Sequence, residues 1–483
     1  MTNAASLQAE LKAGADSAAY KTVAAIFDEG TFVETGALVT RRFSEIPGQG
    51  DAELAGVITG YGAVDGKLTC AFLLDAARCK GAIDGKTADK IVSLYDLAKK
   101  NGAPVIGVFD SVGANVFEGV SALAAYGRII SSVASASGTV PQIALISGKC
   151  IGTLSAVAAM FDIAILEDGA SLYVTDPALT GEKDGQAPVL SAVAEKGKAA
   201  DLVRTLISFL PPCAGCGVAV SECKDDLNRL LPNALPGDAP SVLASVVDNG
   251  RSIPVSASGS LLCSFAEIGG VRCGVVISDA SRDGGKIDAL SARTAARFVD
   301  LCDAFSLPVV TLVDSLGLAV SGENEKAPYS TDLARLAFAY TGASVPKVTV
   351  VIGHAIGAAF PGASVPKVTV VIGHAIGAAF PLLGSRSTGA DVVYAAEGSE
   401  IGILSADAAV AFAFETALAE GKTKEELRDE WKQTVASPAA AAATGEIDGV
   451  IPASEVRCRI ASALLMLSAK GTVDAPYRAI RPL

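Results

Sequence analysis

Two stretches of this 483-residue chain run from a β-rich segment through a turn of small residues into a helical pattern. They are Ile143-Ala-Leu-Ile-Ser-Gly-Lys-Cys-Ile-Gly152-Thr153-Leu-Ser and Val368-Thr-Val-Val-Ile-Gly-His-Ala-Ile-Gly377-Ala378-Ala-Phe. Amides at the start of a helix have no partner within it and point the same way, so such a turn can hold a developing enolate oxygen. Small residues let a substrate carbonyl approach the backbone. Side-chain chemistry is poorly supplied by comparison. The only histidines, His354 and His374, sit at equivalent places in two copies of one segment. That excludes a multi-histidine metal site and leaves a Ser-His-Asp triad only one apolar-flanked imidazole, read here as packed. No Gly-x-x-x-x-Gly-Lys-Ser/Thr phosphate loop occurs. Cys213-Ala-Gly-Cys216, with Cys223 following, lacks a nearby fourth metal ligand and is read as a Pro/Gly-rich connector that carries thiols.

The elements that must position these turns follow from composition. Half of the residues are hydrophobic, 19% are charged and mean hydropathy is +0.43, a balance that suits buried sheets and excludes a disordered tail or a coiled coil. Lys and Arg number 39 against 52 Asp and Glu, a net charge of −13, so no nucleic-acid partner is expected. Ten scattered cysteines and no basic, apolar leader pattern read as a reduced, cytoplasmic protein. Val348 to Pro366 approaches the length of a membrane span, but Gly353, Gly357, Pro361 and Gly362 interrupt it, so buried strands joined by turns are expected.

The chain repeats itself at two levels. Residues 342–361 and 362–381 are identical, GASVPKVTVVIGHAIGAAFP twice. Beneath this lies an older repeat. Pro104-Val-Ile-Gly-Val-Phe-Asp110-Ser111-Val-Gly113 is echoed by Pro308-Val-Val-Thr-Leu-Val-Asp314-Ser315-Leu-Gly317, each followed by a Val-Pro strand. Asp110 and Pro141 are 31 residues apart, Asp314 and Pro346 are 32, and Asp314 and Pro366 are 52, so the halves match once one copy is removed. Ala88–Lys100, closed by Asn101-Gly102, and Ala292–Asp303 read as corresponding helices. The expected architecture is α/β, two homologous domains of stacked βα units over 1–225 and 226–483. One buried strand slot admits one copy, so 342–361 is expected to be displaced as an extra segment.

The segments Phe27–Glu34, Gly56–Gly66, Gly102–Ser111, Glu118–Gly127, Val140–Ile143, Arg297–Phe305, Val365–Val370, Gly389–Ala395 and Gly445–Ile451 resemble, in order, the carboxyltransferase subunit of biotin-dependent acyl-CoA carboxylases and decarboxylases, of the propionyl-CoA carboxylase β and methylmalonyl-CoA decarboxylase α type. The resemblance implies two crotonase-like domains, the first holding a short-chain acyl-CoA and the second biotin. It implies thioester and biotin enolates held in two backbone oxyanion holes, Gly152-Thr153 and Gly377-Ala378, or Gly357-Ala358 if the first copy serves. Gly113 and Ala114, with Gly377 and Ala378, would contact coenzyme A or biotin. The implied partners are a biotin carboxyl carrier protein, since no Met-Lys-Met attachment motif is present, a biotin carboxylase or a membrane decarboxylase partner, and further copies of the chain in a homo-hexamer.

Two departures stand out. The family's Gly-Gly at the first hole is Gly152-Thr153 here, and its Asp-Ser-Gly-Gly-Ala-Arg is Asp110-Ser-Val-Gly-Ala-Asn115. Asp110 and Asp314 are read as turn ligands rather than catalytic acids, and Tyr126 and Tyr173 as packing. Lys67, Arg78 and Lys80 are surface cations by default, with coenzyme A phosphates as their functional alternative. A crotonase-type hydratase, isomerase or hydrolase, or a noncatalytic hexameric scaffold, are the competing functions.

Overall fold

The computed structural model describes residues 17–41, 53–115, 118–175, 177–181, 190–216, 220–231, 238–256, 259–315, 317–319, 321–322, 325, 328–355, 367–371, 374–376, 392–397, 399–402, 406–414, 418, 421–445 and 447–468. Described residues up to Cys216 form one compact unit and those from Val220 onward another.

In the first unit, strands β1 (Val33–Thr35), β2 (Val57–Val64) and β3 (Lys67–Leu74) precede helix α1 (Gly85–Asn101), strand β4 (Val105–Phe109) and helix α2 (Val120–Ala136). Then come β5 (Gln142–Ile146), β6 (Lys149–Ile151), helix α3 (Thr153–Ala159), β7 (Ile163–Glu167), β8 (Ser171–Tyr173), β9 (Ser191–Ala194) and helix α4 (Ala199–Phe209). Helix α1 begins where the buried Asp84 carboxylate accepts the Thr87 amide at 2.7 Å and ends at Gly102 in the left-handed conformation, φ +61°. The main sheet runs β1-β2-β3-β4-β5-β7-β9. Its first three strands are antiparallel and the rest parallel, as βα crossovers require. Strand β4 is wholly buried. Around it Phe72, Phe109 and Phe161 meet edge-on, with centroids 5.5–6.2 Å apart, beneath Ile91 and Leu94 of α1 and Ile129 and Val133 of α2.

The second unit repeats the plan with β10 (Ser252–Ser256), β11 (Leu261–Ile268), β12 (Val271–Ser278), helix α5 (Ala289–Ala304), β13 (Val309–Ser315) and helix α6 (Tyr329–Gly342). There follow β14 (Lys347–Ala355), β15 (Lys367–Val371), β16 (His374–Ile376), β17 (Val392–Ala396), β18 (Glu400–Gly402), β19 (Gly449–Ile451) and helix α7 (Val456–Ser468). Asp288 caps α5 as Asp84 caps α1, accepting the Ser291 amide at 2.6 Å. The sheet order is β10-β11-β12-β13-β14-β15-β17-β19, one strand more than in the first unit.

That extra strand corrects the expectation that one copy is displaced. β14 carries the Lys-Val-Thr-Val-Val of the first copy and β15 that of the second, paired parallel and in register from Lys347 opposite Lys367 to Val351 opposite Val371. The one-slot premise fails for a physical reason. A strand inserted between two parallel neighbours has its backbone groups paired on both sides, whereas an expelled strand must find partners elsewhere. The first copy is also anchored by Lys347, 1% exposed, whose ammonium donates to the Tyr340 and Ala343 carbonyls at the end of α6 at 2.6 and 2.8 Å.

The second unit is pinned by Arg457 of α7, fully buried. Its guanidinium donates to the Val246 carbonyl (2.7 Å) and Asp248 Oδ1 (2.8 Å), and Asp248 also accepts the Gly269 and Gly270 amides. Removing one partner leaves a buried charge uncompensated. Arg457→Met should therefore destabilise this unit by about 3–5 kcal/mol in urea unfolding. A loss below about 1 kcal/mol, the range of exposed pairs, would contradict it.

Candidate functional site

In the first unit the candidate turn is assembled by backbone bonds. Asp110, the residue after β4, accepts the Lys149 amide on Oδ1 (3.2 Å), and the Ser111 amide donates to the Lys149 carbonyl (2.8 Å), which lays β6 against the loop after β4. Only glycine fits at 148, because a Cβ there would stand 2.1 Å from Asp110 Oδ1. Asp110 is thus a ligand of the turn. Ser111 Oγ donates to the Gly81 carbonyl (2.6 Å) and accepts the Gly113 amide (3.0 Å). The Gly113 carbonyl accepts the Ile83 amide, and the Asn115 amide donates to the Ile83 carbonyl, both at 2.9 Å. Among the described residues the amide between them, that of Ala114, has no partner.

Gly152 follows β6 with φ +71° and ψ −142°, a conformation that an L side chain resists. Its own amide is not a free donor, since it gives its hydrogen to the Tyr173 carbonyl (2.9 Å) and extends the β6–β8 ladder. This corrects the assignment of Gly152 as half of a donor pair. Its carbonyl accepts the Ser155 amide and hydroxyl, at 3.1 and 2.7 Å, so the glycine sets the direction of α3. The amides left without a partner among the described residues are those of Thr153 and Leu154. The Gly113 turn lies against the same place, because a Cβ on Gly113 would be 3.9 Å from the Ile151 carbonyl.

Tyr126 packs under this turn, its hydroxyl 4.0 Å from where that Cβ would sit, and burial, reinforced by Cys150, pushes its phenol up to about 12. It is a neutral group at any ordinary pH. Tyr173 contributes its backbone, opposite Ile151 in the ladder. The three cations part company. Lys67 donates to the Ile207, Ser208 and Leu210 carbonyls (2.7–3.0 Å) at the end of α4, and Arg78 pairs with Asp75 and lies over the Tyr20 ring. Only Lys80 reaches an open cavity of about 290 Å³ beside the turn, shared with Asp110, Ser111, Gly148 and Lys149. Lys149 escaped the sequence reading although it stands inside the strand–turn motif.

The second unit repeats the loop. The Gly317 amide donates to Ser315 Oγ (3.1 Å), the Ile287 amide to the Gly317 carbonyl (2.8 Å) and the Ala319 amide to the Ile287 carbonyl (2.9 Å). Leu318 therefore stands where Ala114 does, its amide likewise without a partner among the described residues. Leu318 was also missed, though the Asp-Ser-x-Gly pattern shared by both halves could have indicated it.

Gly357, Ala358, Gly377 and Ala378 lie outside the described residues, but the strands leading to them divide the arrangement. Ser315 of β13 pairs with Ala355 of the first copy, the counterpart of Cys150 beside Ser111. The β6–β8 ladder, Lys149–Ile151 against Ser171–Tyr173, is reproduced instead by the second copy, His374–Ile376 against Glu400–Gly402. Each copy keeps one flank of what a single segment has in the first unit. Among the described residues no group of three or more His, Cys, Asp or Glu could hold a metal, and no helix is long and apolar enough to cross a membrane.

Residues 12–362 and 359–481 match the carboxyl transferase domain family, the two matches meeting at the junction of the repeated copies. The propionyl-CoA carboxylase beta chain of Saccharopolyspora erythraea is 32% identical, over 92% of this chain and 86% of its own length. The methylmalonyl-CoA decarboxylase subunit alpha of Propionigenium modestum is 33% identical, over 94% and 90%. A crystal structure of transcarboxylase 12S, a hexamer with methylmalonyl-coenzyme A and methylmalonic acid bound, superposes with a TM-score of 0.82 at 28% identity, over 97% of this chain and 93% of that one. The repeated crotonase-like units and these relatives agree, and the chain belongs to the carboxyl transferase family of biotin-dependent acyl-CoA carboxylases and decarboxylases.

Proposed function

We propose that this chain moves a carboxyl group between carrier-bound biotin and a short acyl-CoA of the propionyl/methylmalonyl kind, using backbone amides rather than side-chain acids and bases. The observation that carries the reading is a set of amides without partners among the described residues, Ala114 in the loop after β4 and Thr153 and Leu154 at the start of α3. Such donors suit a thioester oxygen that becomes negative as the α-carbon gains or loses its carboxyl group. Lys80 and Lys149, at the adjoining cavity, suit the phosphates of coenzyme A. On the second unit the turn beginning at Gly377 would serve the biotin ureido oxygen, and biotin, when docked, supplies or receives the carboxyl group. The ladder of His374–Ile376 with Glu400–Gly402 favours the second copy for this role. Gly113 and Ala114 then act at the acyl-CoA turn. We further infer a cytoplasmic homo-hexamer served by a separate biotin carboxyl carrier protein.

The test is decarboxylation of methylmalonyl-CoA by the purified chain, followed as loss of the CoA ester. Turnover should require added biotin or a biotinylated carrier and should stop when avidin sequesters it. Turnover that persists under avidin would favour a hydratase, isomerase or hydrolase. Ester binding without turnover would favour a scaffold.

A further inference from the structure

Cys213 and Cys216 take no part in the site described above, and with no metal-holding group around them among the described residues their spacing has another use. Both thiols are free, and their Sγ atoms stand 2.9 Å apart. The turn that brings them together is prepared in advance. Pro211 and Pro212 restrict the approach, the Ala214 amide donates to the Thr139 carbonyl (2.9 Å), and Gly215 takes φ +77°, where glycine is at ease. The two thiols differ in access. Cys213 is partly covered, its Sγ 3.1 Å from where a Cβ on Gly102 would stand, whereas Cys216 is exposed.

We propose that Cys213 and Cys216 form a reversible intramolecular disulfide at the end of the first unit, with Cys216 as the thiol that meets the oxidant. Cys216, as thiolate, attacks one sulfur of a small-molecule disulfide such as oxidised glutathione and expels the other as a thiol. Cys213 then loses its proton to solvent and attacks Cys216 Sγ, expelling the second small thiol. Two protein thiols and one disulfide thus become one protein disulfide and two small thiols. Burial first, and then the neighbouring Cys216, hold the Cys213 thiol up at about 11, which suits the resolving partner better than the entering one. The remaining cysteines are poorer candidates. Cys70, Cys150, Cys263, Cys273 and Cys302 are buried with their thiols pushed up, and Cys223 donates to the Asp225 carbonyl at 3.1 Å.

The test uses the full reduced chain, incubated with oxidised glutathione, quenched in acid, alkylated with a maleimide and mapped by mass spectrometry. Cys213 and Cys216 should lose both adducts together and appear as one internal disulfide while Cys79, Cys223 and Cys458 remain alkylated. Cys213→Ser should instead trap Cys216 as a mixed disulfide with glutathione, a species the parent chain does not accumulate, and dithiothreitol should reverse both. Equal alkylation of Cys213, Cys216 and Cys458 in the parent chain, or pairing of either with Cys223, would overturn the proposal. Neither outcome depends on carboxyl transfer.

Discussion

Gly152→Val should lower biotin-dependent turnover of an acyl-CoA about 100- to 1000-fold, the usual consequence of losing one oxyanion donor. Gly152 is not itself that donor, so the loss comes through its conformation. At φ +71° and ψ −142° it carries the chain from the β6–β8 ladder into α3. A β-branched residue at such a backbone position carries strain of about 1–3 kcal/mol and relaxes by turning the peptide away. The amides of Thr153 and Leu154 then lose the direction they have at the start of α3. Thr153→Gly is the matched control. Its side chain is exposed and its amide is retained, so turnover should stay within about threefold of the parent or rise. Circular dichroism and acyl-CoA binding would confirm that the valine variant is folded, and parental turnover by that folded variant would remove the turn from the chemistry.

Local signals made much of this fold legible. Asp84 and Gly102 are strong cap residues, and α1 ends where Asn101-Gly102 said it should. Val/Ile-rich runs after Pro104 and Pro308 became the all-parallel centre of each sheet. The Asp-Ser-x-Gly repeat marked the loops that carry Ala114 and Leu318. What escaped depends on partners remote in sequence. Lys67 looks like a free cation until the carbonyls of residues 207, 208 and 210 close around it, and Gly152 looks like a donor until Tyr173 takes its hydrogen. Two identical strands carry no local mark of whether a sheet will admit one or both.

Removing one copy of the repeat should speed the biotin side of the reaction. Deleting 342–361 or 362–381 yields the same 463-residue protein, since the copies are identical. In the first unit one segment lies beside the loop after β4, where the Ser111 amide meets the Lys149 carbonyl, and also carries the ladder that ends at Gly152. In the second unit these relations are divided, Ser315 beside Ala355 of the first copy and the ladder on His374–Ile376 of the second. One interposed strand puts β13 and β15 about 9.6 Å apart, two spacings of about 4.8 Å, beyond the reach at which two amides can share one oxygen. The chain with both copies should therefore lack one donor on the biotin side. The deletion variant, with Leu318 and a single Gly-Ala turn adjacent, should exchange carboxyl groups with biotin about 100- to 1000-fold faster at unchanged acyl-CoA affinity. In the parent chain Gly377→Val should abolish the remaining exchange, while Gly357→Val should leave it within about threefold. If the deletion variant folds and exchanges no faster, the two copies do not divide the site. If Gly357→Val is the damaging change, the biotin-side turn belongs to the first copy.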